Sequence, residues 1–186
     1  ETPLQCPIEE KKYPELHHLW KFFYDAKNYG SILNVKGYDF DKIDEEYKAF
    51  EKSYSLTAHF ERDLVKAIIK QAKIMSSKFD VVITNPPYMG KKGMNTSLSS
   101  FVKSNYPDTK IDLFAIFIEK CIDFCKDEKF ISMITMQSWM FLSSYEKLRN
   151  KIITNHHIDT MVHLGTRAFD QIGGDVVSTT AFCIKK

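Results

Sequence analysis

Phe79-Asp80-Val81-Val82-Ile83-Thr84-Asn85-Pro86-Pro87-Tyr88 is the stretch whose reading decides the fold. Its first six residues form a short β-branched run, the composition of a strand buried on both faces of a parallel sheet. Two successive prolines follow, which have no backbone donor, fix φ and end the strand. The turn they form falls at the carboxyl end of that strand, where α/β sheets bind their ligands.

The same turn carries a chemistry. The Asn85 amide oxygen and the Pro86 carbonyl lie side by side as acceptors in a rigid backbone. Such a pair suits a planar NH2 group, each oxygen taking one hydrogen. Holding both hydrogens out of plane favours sp3 character at nitrogen and frees its lone pair for attack. Tyr88 supplies an aromatic face on which a heterocyclic base stacks. Read alone, Asn-Pro-Pro-Tyr is also an ordinary polar turn leaving a strand.

Outward from the turn, strand and helix patterns alternate. A loop with Gly90, Gly93 and a polar Ser/Thr/Lys segment leads to a helix over 111–126, capped by Thr109 or Asp112. A strand over 129–136, a helix over 143–155 and a strand over 158–164 follow. A Gly173-Gly174 turn leads to the last strand, 176–184. This order predicts a mostly parallel α/β sheet that closes with an antiparallel hairpin. Upstream, residues 1–77 read as a mainly helical accessory segment: a helix over 14–28 ending at Gly30, a short strand over 31–35, and a charged stretch over 39–52. An amphipathic helix over 57–75 completes it, with Phe60, Leu64, Ala67, Ile68, Ala72 and Met75 on one face. Residues 78–186 then form the second domain.

Composition narrows the class. At 186 residues and 44% hydrophobic content the chain can bury a core, which excludes a disordered tail or a disulfide-stapled miniprotein. No apolar run is long enough to span a membrane, and no signal peptide is visible, so a cytoplasmic protein is expected. The net charge of +2 is uninformative as a total, but residues 89–110 carry +3 of it through Lys91, Lys92, Lys103 and Lys110 against Asp108. Lys91 and Lys92 beside the turn can neutralise phosphates or simply solvate a loop. Gly90-Lys91-Lys92-Gly93 spells the GxxG of an RNA-binding KH loop, but follows a turn where that loop follows a helix. Four scattered cysteines form no framework and no zinc spacing; Cys121 and Cys125 are expected to be buried hydrophobes inside a helix. His17-His18 and His156-His157 are adjacent, so neither pair makes a two-ligand face, and no metal site is expected.

Phe79 to Tyr88 resembles the catalytic motif of adenine-N6 DNA methyltransferases. Asp112-Leu113-Phe114-Ala115-Ile116-Phe117-Ile118-Glu119-Lys120 resembles the helix after that motif, and residues 130–140 the next strand and loop. Gly165-Thr166-Arg167-Ala168-Phe169, with residues 176–182, resembles the closing hairpin. With residues 24–32 added, nearly the whole chain is similar to the large methyltransferases of BREX-type phage-defence systems and their type II restriction-modification relatives.

The resemblance implies the catalytic half of a Rossmann-like class I methyltransferase. Asn85, Pro86 and Pro87 with Tyr88 would form the catalytic turn that holds the target amine and stacks on an adenine flipped out of double-stranded DNA. Phe169 would be a second aromatic on that base, or a core residue of the hairpin. Phe117 would line the adenine pocket of S-adenosylmethionine, or face the core. Other defence-system proteins are implied as partners.

The sequence departs from the family in one respect. It contains no GxG, and no strand-glycine-helix unit precedes Phe79, whereas class I enzymes hold S-adenosylmethionine with such a turn. With no Met at Glu1, the chain is expected to be a central fragment, without the cofactor half or the target-recognition domain and inactive alone. Two other functions stay open: methylation of a protein glutamine amide, whose NH2 is equally planar, and a non-catalytic subunit of the same fold that binds DNA or protein.

Overall fold

A computed structural model describes residues 6–53, 59–166 and 178–186. The chain divides into two compact units, Glu1–Ser77 and Lys78–Lys186.

The first unit is helical, with α1 (Pro14–Phe23), α2 (Ala26–Tyr29), α3 (Phe40–Ser53) and α4 (His59–Ser76). Pro14 opens α1 at a position whose amide needs no intrahelical partner. Leu16, Leu19, Trp20 and Phe23 then share one buried face, against Ile43 and Phe50 of α3 and Val65, Ile69 and Ala72 of α4.

Four expectations need correction here. The helix over 14–28 breaks after Phe23 and restarts at Ala26. Residues 31–35 form no strand: Gly30–Ile32 is a 3-10 turn, and Ile32, Leu33 and Val35 are apolar because they are buried. The charged stretch is the helix α3, started by Asp39, whose Oδ1 accepts from the amides of Asp41 and Lys42 at 3.1 Å each. Only Ile43 and Phe50 of α3 are fully buried, too sparse a stripe to show through its charges. On α4 the buried face is centred on Val65 and Ile69, about one residue's rotation from the expected one, and leaves Phe60 and Ala67 exposed.

The second unit holds a four-stranded sheet: β1 (Phe79–Thr84), β2 (Cys125–Met136), β3 (His157–Gly165) and β4 (Thr179–Lys185). The spatial order is β1-β2-β4-β3. β1 pairs parallel with β2, and β4 inserts antiparallel to both β2 and β3, so three of the four strands run one way. The crossover from β1 to β2 contains α5 (Thr96–Asn105) and α6 (Leu113–Phe124), and α7 (Glu146–Asn155) links β2 to β3. The core is formed by α6 and α7 on one sheet face: Phe114, Ile118 and Ile122, Leu148 and Ile152, over Ile131, Met133, Phe182 and Ile184.

The opposite face is open within this unit, which corrects the reading of residues 79–84 as buried on both sides. Val81 and Ile83 are 56% and 74% exposed, and only the Val82 side packs on the core. An apolar run states what a strand can bury, not how many faces its own unit covers. Two further corrections concern the crossover. The polar segment after Gly93 is not a loop but α5, capped by Asn95, whose Oδ1 accepts from Leu98 N at 2.8 Å. Cys125 is not helical: it caps α6 and begins β2, though it is buried as expected. Burial raises the Cys121 thiol to about 12, which keeps it uncharged and unreactive. No described helix is long and apolar enough to cross a membrane.

His156 caps α7 at its carboxyl end, and its buried Nδ1 has no hydrogen-bond partner among the described residues. Burial, with Lys186 and Lys151, holds its pKa below the ordinary 6.5. The unfolded chain therefore takes up this proton at a higher pH than the folded one. Stability is expected to fall as pH drops through and below about 6.5, and His156→Gln to flatten that part of the curve; thermal melts of both proteins across pH check it.

Candidate active site

The site forms where β1 ends. Its four-residue turn alternates in exposure: Asn85 and Pro87 are exposed, Pro86 is buried and Tyr88 is half-buried. Among the described residues nothing hydrogen-bonds to the Asn85 side chain, so its amide oxygen is open to a ligand. Asn85 and Thr84 also line a groove of about 380 Å³ that crosses the open sheet face past Ser132, Ile134 and Ala181. The turn therefore stands at the edge of a concave surface.

Tyr88 is held from two sides. Its ring packs edge-on against Phe114 of α6, with centroids 6.2 Å apart and an interplanar angle of 83°. Its hydroxyl donates to the Ile134 carbonyl at 3.4 Å, a long bond. Burial raises the Tyr88 pKa, so the phenol stays neutral. Phe114 itself is buried and rests on Tyr145, 5.8 Å away. A neutral ring braced on a buried one makes a stiff stacking platform.

The loop after Tyr88 is tied to the start of α6. Met89 N donates to Asp112 Oδ1 at 3.0 Å, Leu113 N to the Met89 carbonyl at 3.1 Å, and Lys91 N to the Ile111 carbonyl at 3.1 Å. Gly93 lies close to the same loop, since a Cβ there would lie 2.9 Å from Met89 Cγ and that side chain would have to move. Asp112 also caps α6, with Phe114 N donating to the same oxygen at 3.3 Å. Burial pushes its carboxyl up, partly offset by the bonds from Phe114, Met89 and Leu113.

The structure thus brings Asn85, Pro86, Pro87 and Tyr88 together at one strand end, with Lys91 and Lys92 exposed in the 3-10 turn Lys91–Gly93 that follows. Phe117 lies one helical turn beyond Phe114 on α6, half-buried against the core. Phe169 lies outside the described residues. Two residues of the site escaped the sequence reading. Phe114 carried no signal beyond a helix-face apolar residue, and Asp112 was legible only as a cap.

The exposed Asn85 amide oxygen is an acceptor that suits a planar amine. S-adenosylmethionine needs a glycine turn between strand and helix; none of the described glycines forms one, since Gly90 and Gly93 sit in the loop packed on α6.

A parallel strand ending in an Asn-Pro-Pro-Tyr turn, on a mixed α/β sheet whose last strand inserts antiparallel, is the arrangement that carries the site. The model of the Eco57I restriction-modification methylase family matches residues 8–169, and the chain belongs to that family. It is 42% identical over 184 residues to the adenine-specific methyltransferase BrxX of Escherichia coli O9:H4 (strain HS), covering 95% of this chain and 15% of that protein. It is 40% identical over 170 residues to the adenine-specific methyltransferase PglX of Lacticaseibacillus casei (strain Zhang), 87% of this chain and 14% of that protein. The type II restriction enzyme and methyltransferase RM.Eco57I of Escherichia coli is 26% identical over 94 residues, 48% of this chain and 9% of that protein. The chain therefore spans about one seventh of the length of BrxX and PglX.

Proposed function

We propose that this chain is the amine-holding part of a DNA N6-adenine methyltransferase that works in host defence or restriction-modification. The observation that carries the reading is the exposed, unpartnered Asn85 amide at the end of β1, with Tyr88 braced on Phe114 three residues on. Family membership supports it. S-adenosylmethionine, held by the larger protein, supplies the electrophilic methyl group.

Asn85 Oδ1 and the Pro86 carbonyl accept the two hydrogens of the adenine amine and turn its lone pair toward the methyl carbon. The lone pair freed by these two acceptors would be the nucleophile for the methyl group that the cofactor would supply. The extra proton then passes from nitrogen to solvent water, because neither amide oxygen is basic enough to keep it. Neither acceptor has to ionise. Tyr88 stacks on the extruded base, Phe169 would be a second aromatic on it, and Phe117 would help to hold the cofactor's adenine. Residues 1–77 serve as an accessory segment, and residues 78–186 carry the reaction.

Lys91 and Lys92 are assigned to phosphates flanking the flipped nucleotide. Lys91→Ala and Lys92→Ala are each expected to weaken DNA binding on all sequences alike and to reduce the slope of log K against log salt by about 1, read by titration at several salt concentrations.

The deciding experiment uses the full-length protein, with methyl-labelled S-adenosylmethionine and both DNA and cellular protein as acceptors. Label on adenine N6 supports the reading. Label in protein alone favours a glutamine amide as the substrate and overturns it. Methylation untouched by Asn85→Ala favours a non-catalytic role and overturns it as well.

A further inference from the structure

We propose that Asp112 is a positioning residue for this site: one carboxylate oxygen fastens the loop leaving the catalytic turn to the start of the helix that supports Tyr88. The proposal rests on the reading of Asn85 to Tyr88 as an amine site. It goes further, because it names what keeps that turn in place.

A residue acting only as a helix cap would be satisfied by the amide of Phe114. Asp112 Oδ1 instead takes two amides from opposite sides of the site, Met89 N at 3.0 Å and Phe114 N at 3.3 Å. Met89 is the residue directly after Tyr88, and Phe114 carries the ring on which Tyr88 rests. One atom therefore sets the distance between the end of the turn and the platform beneath it.

Two features make the tether stiff. Gly90 and Asp112 form an isolated antiparallel bridge, made by Lys91 N donating to the Ile111 carbonyl and Leu113 N to the Met89 carbonyl, both at 3.1 Å. A Cβ at Gly90 would lie 3.4 Å from Asp112 Oδ2, so the carboxylate is packed against the loop backbone. Together they form a short two-stranded clasp that joins Met89 to Asp112 across 23 positions of chain. Without the Asp112 carboxylate the loop end would be held by these backbone bonds alone.

The test separates capping from positioning with two variants in the full-length protein. In Asp112→Ser an oxygen remains to cap Phe114, but the side chain is one bond shorter and falls short of Met89. Asp112→Asn keeps a carbonyl oxygen where Oδ1 lies and can accept from both amides. Hydrogen exchange of the peptide spanning Pro86 to Met94 is read alongside kcat for adenine methylation.

The expected result for Asp112→Ser is faster exchange at Met89 and Lys91, unchanged protection of α6, and a kcat lowered by about 10- to 100-fold. Asp112→Asn is expected to restore the protection and most of the rate. Wild-type exchange or wild-type kcat in Asp112→Ser would overturn the proposal. So would an Asp112→Asn protein as impaired as the serine variant in both readouts. If the wild-type protein methylates no adenine, the functional reading falls, while the exchange comparison still decides whether Asp112 tethers the loop.

Discussion

Asn85→Ala in the full-length protein is expected to lower kcat for adenine methylation by about 10²- to 10³-fold, the usual loss when one preorganised polar group facing the reacting atoms is removed. The arithmetic is direct, since each tenfold is about 1.4 kcal/mol of transition-state stabilisation. The acceptor pair acts most strongly when nitrogen becomes sp3 and its hydrogens turn positive, so the loss should fall on kcat and leave KM for DNA little changed. The fold should not notice. Asn85 is exposed and makes no hydrogen bond among the described residues, and surface changes of that kind stay within about 0.5 kcal/mol. Asn85→Asp keeps an acceptor at the same place and should retain part of the rate. Steady-state kinetics with a thermal melt on each variant checks both halves: a low kcat with a lowered melting midpoint would point to a structural role instead.

The second large effect is at Tyr88, where the three replacements should be graded. Removing a base-stacking ring costs about 1–3 kcal/mol, so Tyr88→Ala is expected to lose about 5- to 150-fold in kcat/KM. Tyr88→Phe should keep most activity, because the bond it removes, to the Ile134 carbonyl, is already long at 3.4 Å. Tyr88→Trp keeps a stacking face and should lie between the two. Kinetics on the three variants, with fluorescence from 2-aminopurine at the target position, checks whether the loss follows base extrusion. Equal loss in all three would mean that the hydroxyl matters and the ring does not. Because Tyr88 also packs on Phe114, the alanine variant will lose some stability, and the melt separates that loss from the kinetic one.

The parts of this molecule legible in its sequence are those where a few adjacent residues settle the outcome. Val82, the two prolines and Tyr88 define a strand, its end and an aromatic after it without help from elsewhere. The strands over 129–136 and 158–164 are legible for the same reason. Elements whose apolar residues are few are not: α5 buries only Leu98 and Val102 among its serines, and α3 only Ile43 and Phe50 among its charges. The false strand at 31–35 shows the converse. Ile32, Leu33 and Val35 are buried, but burial requires only an apolar side chain, and strand pairing requires a partner that is not there among the described residues.

The sequence by itself determined the chemistry of the turn, because acceptor atoms, missing donors and a fixed φ are properties of Asn and Pro wherever they stand. It also determined the alternation of strand and helix that leads into a closing hairpin. Only the tertiary structure decided that β4 inserts between β2 and β3, that one sheet face stays open in this unit, and that Asp112 and Phe114 hold the loop and ring beside the turn. The loop contact, for one, joins Met89 and Asp112, 23 positions apart. Chain connectivity restricts such pairs very little, and they are chosen by which side chains the packing of α6 against the sheet brings within reach.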